Sequence, residues 1–102
     1  MILEIADIHI QRGQGTAFEA AVRTALKDIF PKAKGFVAHS FHVCMESPER
    51  YVFQLTWETL EDHTVSFRES TLFTEWRALV GGYFAKAPHV EHFTLVTASA
   101  PT

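Results

Sequence analysis

The chain has 102 residues, a net charge of −3 and a 47% hydrophobic composition that includes nine Phe, two Trp and two Tyr. Its length predicts a single domain over residues 1–102. The lack of a run of Lys or Arg excludes a nucleic-acid-binding footprint, and no apolar run approaches the roughly 18 residues that would span a membrane. We expect a cytoplasmic protein, because its single cysteine, Cys44, cannot form an internal disulfide.

The first half of the sequence predicts a strand, a helix and a hairpin. Residues 2–10 are β-branched and partly alternating, which is typical of a strand. Thr16 and Glu19 then have the spacing of a capping box, and apolar residues at helical spacing follow. Residues 35–45 and 51–58 predict two strands, and the short turn between them favours an antiparallel hairpin.

The second half predicts two helical segments and a last strand. Thr59 and Asp62 offer a second helix cap, so we expect a helix through residues 60–69. A further helical stripe runs from residue 72 to 83, and residues 89–98 have the pattern of a strand. The order is β-α-β-β-α-β, so the predicted fold class is α+β: ferredoxin-like, with an antiparallel sheet.

Strand alternation predicts a sheet that is apolar on both faces. In the third strand, one face carries Tyr51, Phe53, Leu55 and Trp57. In the second strand, apolar residues are expected on both faces: Val37, Phe41 and Val43 on one, and Phe36, Ala38 and Cys44 on the other. A ferredoxin-like sheet has helices on one face only, so we expect a homodimer whose sheets pack face to face.

With this order of elements, the sequence resembles the antibiotic biosynthesis monooxygenase superfamily of small dimeric α+β barrels. The segments that carry the resemblance are Gly35-Phe36, residues 50–63 (RYVFQLTWETLEDH), residues 67–80 (FRESTLFTEWRALV) and residues 88–93 (PHVEHF). The superfamily includes cofactor-free oxygenases of aromatic polyketides, haem-degrading oxygenases and isomerases of signal molecules. The resemblance therefore implies a dimeric α+β barrel, and it leaves several reactions open.

The resemblance also implies candidate catalytic residues. The polyketide oxygenases use an Asn four residues before a tryptophan, the tryptophan itself and an arginine on the last helix. Trp57 and Arg77 match the last two, whereas Phe53 occupies the Asn position. His63 occupies the position of an aromatic hydroxyl six residues after the tryptophan, and it can serve as an acid or base because its unperturbed pKa is about 6.5.

Three hypotheses for function follow. The first is a cofactor-independent monooxygenase acting on a small aromatic or quinone-like molecule, in which His63 takes a proton and Arg77 stabilises the resulting anion. The residues expected to form the substrate cavity are Phe53, Phe67 and Trp76, with Trp57 as its wall. The second is a non-catalytic dimeric domain that binds a small ligand. The presence of Phe53 in place of a polar residue favours this second hypothesis. The third is a cofactor-free isomerase.

We expect neither a cofactor nor a metal. Residues 12–15 (RGQG) fit neither a dinucleotide-binding loop nor a P-loop. The pairs His39-x-x-His42 and His89-x-x-His92 lie in predicted strands, where residues three apart point to opposite faces and cannot chelate as a unit. Haem-degrading members place a histidine ligand on the last helix, where this chain has Trp76-Arg77, so haem is not expected either.

Overall fold

The fold is one antiparallel sheet with two helices packed on one of its faces. The structure, a computed structural model, describes residues 1–99. The strands are β1 (Ile2–His9), β2 (Phe36–Val43), β3 (Arg50–Trp57) and β4 (His89–Phe93), in the sheet order β2-β3-β1-β4. The helices are α1 (Gly15–Asp28) and α2 (Thr71–Val80), with 3₁₀ turns at Phe30–Lys32 and Gly81–Tyr83 and a π-helical segment at Asp62–Phe67. The predicted α+β, ferredoxin-like fold is confirmed. Within residues 1–99, no helix has the length and apolar character that crossing a membrane requires.

The core lies between the helices and the inner face of the sheet. Every second residue of β3 is buried, as the alternation predicted: Tyr51, Phe53, Leu55 and Trp57. The matching residues of β1 are Glu4, Ala6 and Ile8. Aromatic rings from α1 and the following 3₁₀ turn, Phe18 and Phe30, pack edge-on against these strands. The inner positions of β1 and β3 are therefore apolar except for the carboxyl group of Glu4 and the hydroxyl of Tyr51.

A β-bulge changes which residues of β2 face the core. Phe36 pairs with Trp57, and Ala38 pairs with the next residue along β3, so Val37 is left without a partner. Because the extra residue shifts the alternation by one, Phe36 and Phe41 both pack against the core. The prediction that Phe36 and Phe41 lie on opposite faces is therefore wrong.

Helix α1 begins without the predicted capping box. Its N-cap is Gln14, whose side chain makes no capping hydrogen bond, so Thr16 lies inside the first turn. The carboxylate of Glu19 instead accepts a 2.7 Å hydrogen bond from the hydroxyl of Tyr51. The capping-box prediction is wrong, because the helix starts before Thr16 and the partner carboxylate is held by the sheet.

The corner between β3 and the π-helical segment forms near its predicted position. Thr59 Oγ1 accepts the backbone N–H of Asp62 at 3.1 Å, which confirms Thr59 as a capping residue. Both His63 and Phe67 are buried at 4% exposure. The segment therefore presents these two side chains, four residues apart, to the core.

The last strand is shorter than the sequence predicts. β4 ends at Phe93, which pairs with Leu3 close to the start of β1. Continuing the register places Thr94 opposite Ile2, the first residue of β1, so β1 offers no partner to the residues that follow Thr94. Leu95 and Val96 consequently lie outside the sheet and are 78% and 94% exposed.

Candidate functional site

A cavity of about 790 Å³ lies between the inner face of the sheet and the α2 side of the molecule. This volume is within the range of small-molecule sites, roughly 300–1,000 Å³. Its walls are largely apolar, and the aromatic residues among them are Phe30, Phe53, Phe67, Phe73, Trp76 and Phe84. Such walls suit a planar aromatic ligand.

The polar end of the cavity is built around Glu4 of β1. Glu4 is 6% exposed, and its Oε1 accepts a 2.9 Å hydrogen bond from the indole Nε1–H of Trp57. The Nε2 atom of His63 lies 3.3 Å from the same oxygen. The His63 ring also stacks on the Trp57 ring, with centroids 5.2 Å apart. Two neighbouring elements therefore hold the Glu4 carboxyl group in place.

Burial changes which of these groups titrates near neutral pH. It raises the pKa of Glu4 to about 7, against the opposing effects of the Trp57 hydrogen bond and the charge of Arg68. Burial also lowers the pKa of His63 to about 4, with help from the charges of Arg68 and His92. Between about pH 4 and 7 the contact of Glu4 with His63 therefore joins two neutral groups, and it is not an ion pair.

His92 extends this group toward the surface. Its Nε2 lies 2.8 Å from Nδ1 of His63, and its register opposite Glu4 places it at the same end of the sheet. Burial, and then the charge of Arg68, lower the pKa of His92. A neutral imidazole carries one N–H, so His63 donates to one neighbour while it accepts from the other. An ionised Glu4 can only accept hydrogen bonds, so it favours the His63 tautomer with Nε2–H toward the carboxylate.

Three basic side chains line the cavity: Arg68, Arg77 and Lys86. All three are exposed. The guanidinium carbon of Arg77 lies 5.8 Å from the ring centroid of Phe73, which also lines the cavity. This distance is within the range of a cation–π contact, so the charge of Arg77 is held beside the aromatic wall.

The structure brings together most of the residues singled out from the sequence. The predicted residues that line the cavity are His63, Arg77, Phe53, Phe67 and Trp76. Trp57 is not among the lining residues, because its fully buried ring lies behind Glu4 and His63. Trp57 therefore contacts the lining residues and does not itself form the wall. Their chemical roles stay predictions.

The sequence interpretation missed Glu4, and it did not place His92 beside His63. Strand alternation could have identified Glu4, because it shares the inward positions of β1 with Ala6 and Ile8. A carboxyl group in that series must be buried, and burial shifts its pKa upward. The contact of His92 with His63 joins residues 29 apart, and no spacing rule predicts it. The predicted strand parity is confirmed: His92 pairs opposite inward Glu4, and His89 pairs opposite outward Asp7.

The chain belongs to the antibiotic biosynthesis monooxygenase family, whose family model matches residues 1–79. The uncharacterized protein YczJ of Bacillus subtilis (strain 168) is a relative. It is 43% identical over 93 residues, which cover 91% of this chain and 97% of that protein. Family membership confirms the resemblance found in the sequence, and the named relative assigns no reaction.

Solved structures agree with this fold. A Bordetella bronchiseptica crystal structure that carries the same family name superposes with a TM-score of 0.90 at 43% identity, covering 94% of this chain and 97% of that one. A Streptomyces coelicolor monooxygenase from the gene ActVA-Orf6, solved with nanaomycin D, has a TM-score of 0.78 at 15% identity, with 99% and 92% coverage. At that identity the second likeness shows the fold alone.

Proposed function

We propose that this protein is a cofactor-independent monooxygenase acting on a small aromatic or quinone-like molecule. The observation that carries the proposal is a buried carboxyl group, Glu4, with a pKa of about 7 at the polar end of an aromatic cavity. A group with such a pKa can take a proton from a phenol or an activated CH₂ near neutral pH. Family membership supports the same class of reaction.

The reaction needs little from the protein, because an electron-rich aromatic anion can itself reduce oxygen. A substrate CH₂ group and O₂ become a carbonyl group and water, so the substrate supplies all four electrons. Glu4 removes the first proton and returns it to the reduced oxygen that leaves as water. The aromatic walls, including Phe53 and Trp76, hold the ring and exclude bulk water, which strengthens every charge interaction in the site.

The surrounding residues then have distinct roles. Glu4, rather than His63, is the proposed base, because His63 has a pKa of about 4 and is a weak proton acceptor at neutral pH. His63 and Trp57 position the carboxyl group through the contacts described above. Arg77 stabilises the negative charge that develops on the substrate oxygen, and Phe67 supports the ring of His63 through stacking.

Oxygen uptake with metal-free and flavin-free protein tests this function. A panel of phenols, hydroquinones and anthrone-like compounds should include at least one that is oxidised faster with protein than without it. The Glu4→Gln variant should lose about 10²–10⁴-fold in turnover, the contribution of a positioned base. Glu75→Gln is the matched control, since Glu75 is exposed on α2. Full turnover by Glu4→Gln would overturn the assignment of the base.

Two alternatives share the same cavity. Phe53 lines it and adds no polar group, which favours a domain that binds a ligand without changing it. Glu4 could also move a proton within a bound molecule, as an isomerase base does. Anaerobic incubation separates these cases: an isomerase converts its substrate without oxygen, an oxygenase does not, and a binding domain leaves the ligand intact under both conditions.

We also propose a homodimer whose subunits pack through the outer face of the sheet. Both helices lie on the inner face, so in residues 1–99 no second layer covers the outer face. That face carries Leu3 and Ile5 of β1, and the half-exposed Phe93 pairs with Leu3. The bulge makes the outer face less apolar than the sequence suggested, because Phe36 turns inward.

A further inference from the structure

The charge of the cavity is opposite in sign to the charge of the chain. The whole sequence has a net charge of −3, yet three basic side chains line this one cavity: Arg68, Arg77 and Lys86. Among the described residues, Glu4 is the only acidic residue that lines it. Because half of the Glu4 carboxyl groups are protonated near pH 7, Glu4 offsets little of that positive charge.

The three basic side chains at the cavity do not form ion pairs with carboxylates in the described part of the protein. Within residues 1–99, no carboxylate oxygen lies within 4.0 Å of the charged nitrogens of Arg68, Arg77 or Lys86. Three basic side chains elsewhere do have such partners, namely Arg23, Lys34 and Arg50; Arg50 forms a two-pronged pair with Asp7 at 2.8 and 3.0 Å. The positive charge around the cavity therefore remains available to a ligand.

We propose that the ligand of this cavity is a small aromatic carboxylate, whose ring packs among the aromatic walls and whose carboxylate is bound by the basic side chains at the cavity. A guanidinium group matches a carboxylate through two parallel hydrogen bonds. Arg77 is suited to this role, because its guanidinium already lies beside a ring that lines the cavity. This inference rests on the proposed function for the reaction, but it can be tested by binding alone.

Three probes with one ring system and different charges test the proposal: 2-naphthoate, 2-naphthalenemethanol and 2-naphthylmethylammonium. Isothermal titration calorimetry or NMR titration at low ionic strength should give the tightest binding for 2-naphthoate and the weakest for the ammonium compound. Added salt should weaken the binding of 2-naphthoate and leave the alcohol nearly unchanged, because exposed charges are screened over about 10 Å at 0.1 M salt.

Single variants identify the side chains involved. Arg68→Gln, Arg77→Gln and Lys86→Gln should each weaken 2-naphthoate binding, by about fivefold to tenfold for the residue that contacts the carboxylate directly. They should change the affinity for the alcohol by less than about twofold. Lys27→Gln is the matched control, because it removes the same charge from an exposed position on α1 that does not line the cavity.

Each outcome decides a different point. Equal binding of the acid and the alcohol, no binding of any probe, or equal losses in the cavity variants and in Lys27→Gln would overturn the inference. Tight binding of the carboxylate without oxygen uptake by any aromatic acid would support the inference while contradicting the oxygenase proposal. Oxygen uptake that prefers neutral phenols over their carboxylated counterparts would support the oxygenase and overturn this inference.

Discussion

At the scale of the residue, burial decides which group can act as an acid or base. From the sequence, His63 was the natural candidate because its ordinary pKa lies near neutrality. In the fold, burial lowers the pKa of His63 to about 4 and raises the pKa of Glu4 to about 7. The predicted position of His63 was useful, since it lies at the polar end of the cavity. Its titration could not be predicted without knowing what surrounds it.

The raised pKa of Glu4 predicts a pH-dependent cost in stability. The unfolded carboxyl group ionises near its usual 4.5, whereas the folded one ionises near 7. The folded state therefore holds the proton more tightly, and the contribution of Glu4 to the free energy of unfolding falls by about 3 kcal/mol as the pH rises from 4.5 to 7. Relative to wild type, Glu4→Gln should gain that amount across the same window.

Urea unfolding of both proteins between pH 4.5 and 8 measures this difference. The pKa of His63 is lowered in the fold, so His63 contributes stability above its unfolded pKa that is lost as the pH falls toward 4. That trend is present in both proteins and largely cancels in their difference. Glu75→Gln, at an exposed position, should differ from wild type by a constant amount. A pH-independent difference for Glu4→Gln would show that Glu4 ionises normally in the fold.

At the scale of the element, simple alternation predicted β3 and failed in β2. The buried series of β3 follows a strict period of two, so its inward face could be read from the sequence. In β2 the bulge at Val37 reverses the face of the sheet to which the following side chains point. Apolar residues occur at both odd and even positions of β2, so the sequence gave no sign of this reversal. The length of β4 depends on where its neighbour β1 begins, which is a property of the sheet and not of the β4 sequence.

The turn into β2 provides an element-scale prediction with a matched control. Gly35 and Gly13 both have a positive φ, at 77° and 81°. A Cβ at Gly35 would overlap the buried side chain of Asp62, whereas a Cβ at Gly13 would meet nothing within 4 Å. Gly13→Ala should therefore cost only the backbone term, about 1–2 kcal/mol. Gly35→Ala should cost at least about 3 kcal/mol, because the corner that positions His63 must also shift.

Thermal or urea unfolding of the two variants separates the backbone cost from the steric cost. Below the unfolding transition, the far-UV circular dichroism spectrum of both variants should match that of wild type, since neither residue lies inside a helix or strand. Equal losses of stability in Gly35→Ala and Gly13→Ala would mean that the contact with Asp62 relaxes easily and does not hold the corner.

At the scale of the whole molecule, the described chain leaves apolar surface that another subunit would cover. Within residues 1–99, no helix packs on the outer face of the sheet. Beyond β4, Leu95 and Val96 project past the beginning of β1 and are 78% and 94% exposed. Large exposed apolar side chains that adjoin an uncovered sheet are typical of an interface. The fold alone predicts which face a partner would use, while the strength of the association depends on how well the two copies fit.

The proposed homodimer predicts that a charge on the outer face separates the subunits without unfolding them. Ile5 lies on that face in the central strand β1, next to Glu91 of β4, so a lysine there has a nearby carboxylate in the free subunit. Wild type should sediment at twice the mass of one chain at micromolar concentration. Ile5→Lys should sediment as a folded monomer, because a buried charge at the interface costs several kcal/mol. Val65→Lys is the control, since Val65 lies in the π-helical segment and is 46% exposed; it should remain dimeric. A wild-type protein that is monomeric at this concentration, or an Ile5→Lys variant that keeps the full dimer mass, would refute packing through the outer face of the sheet.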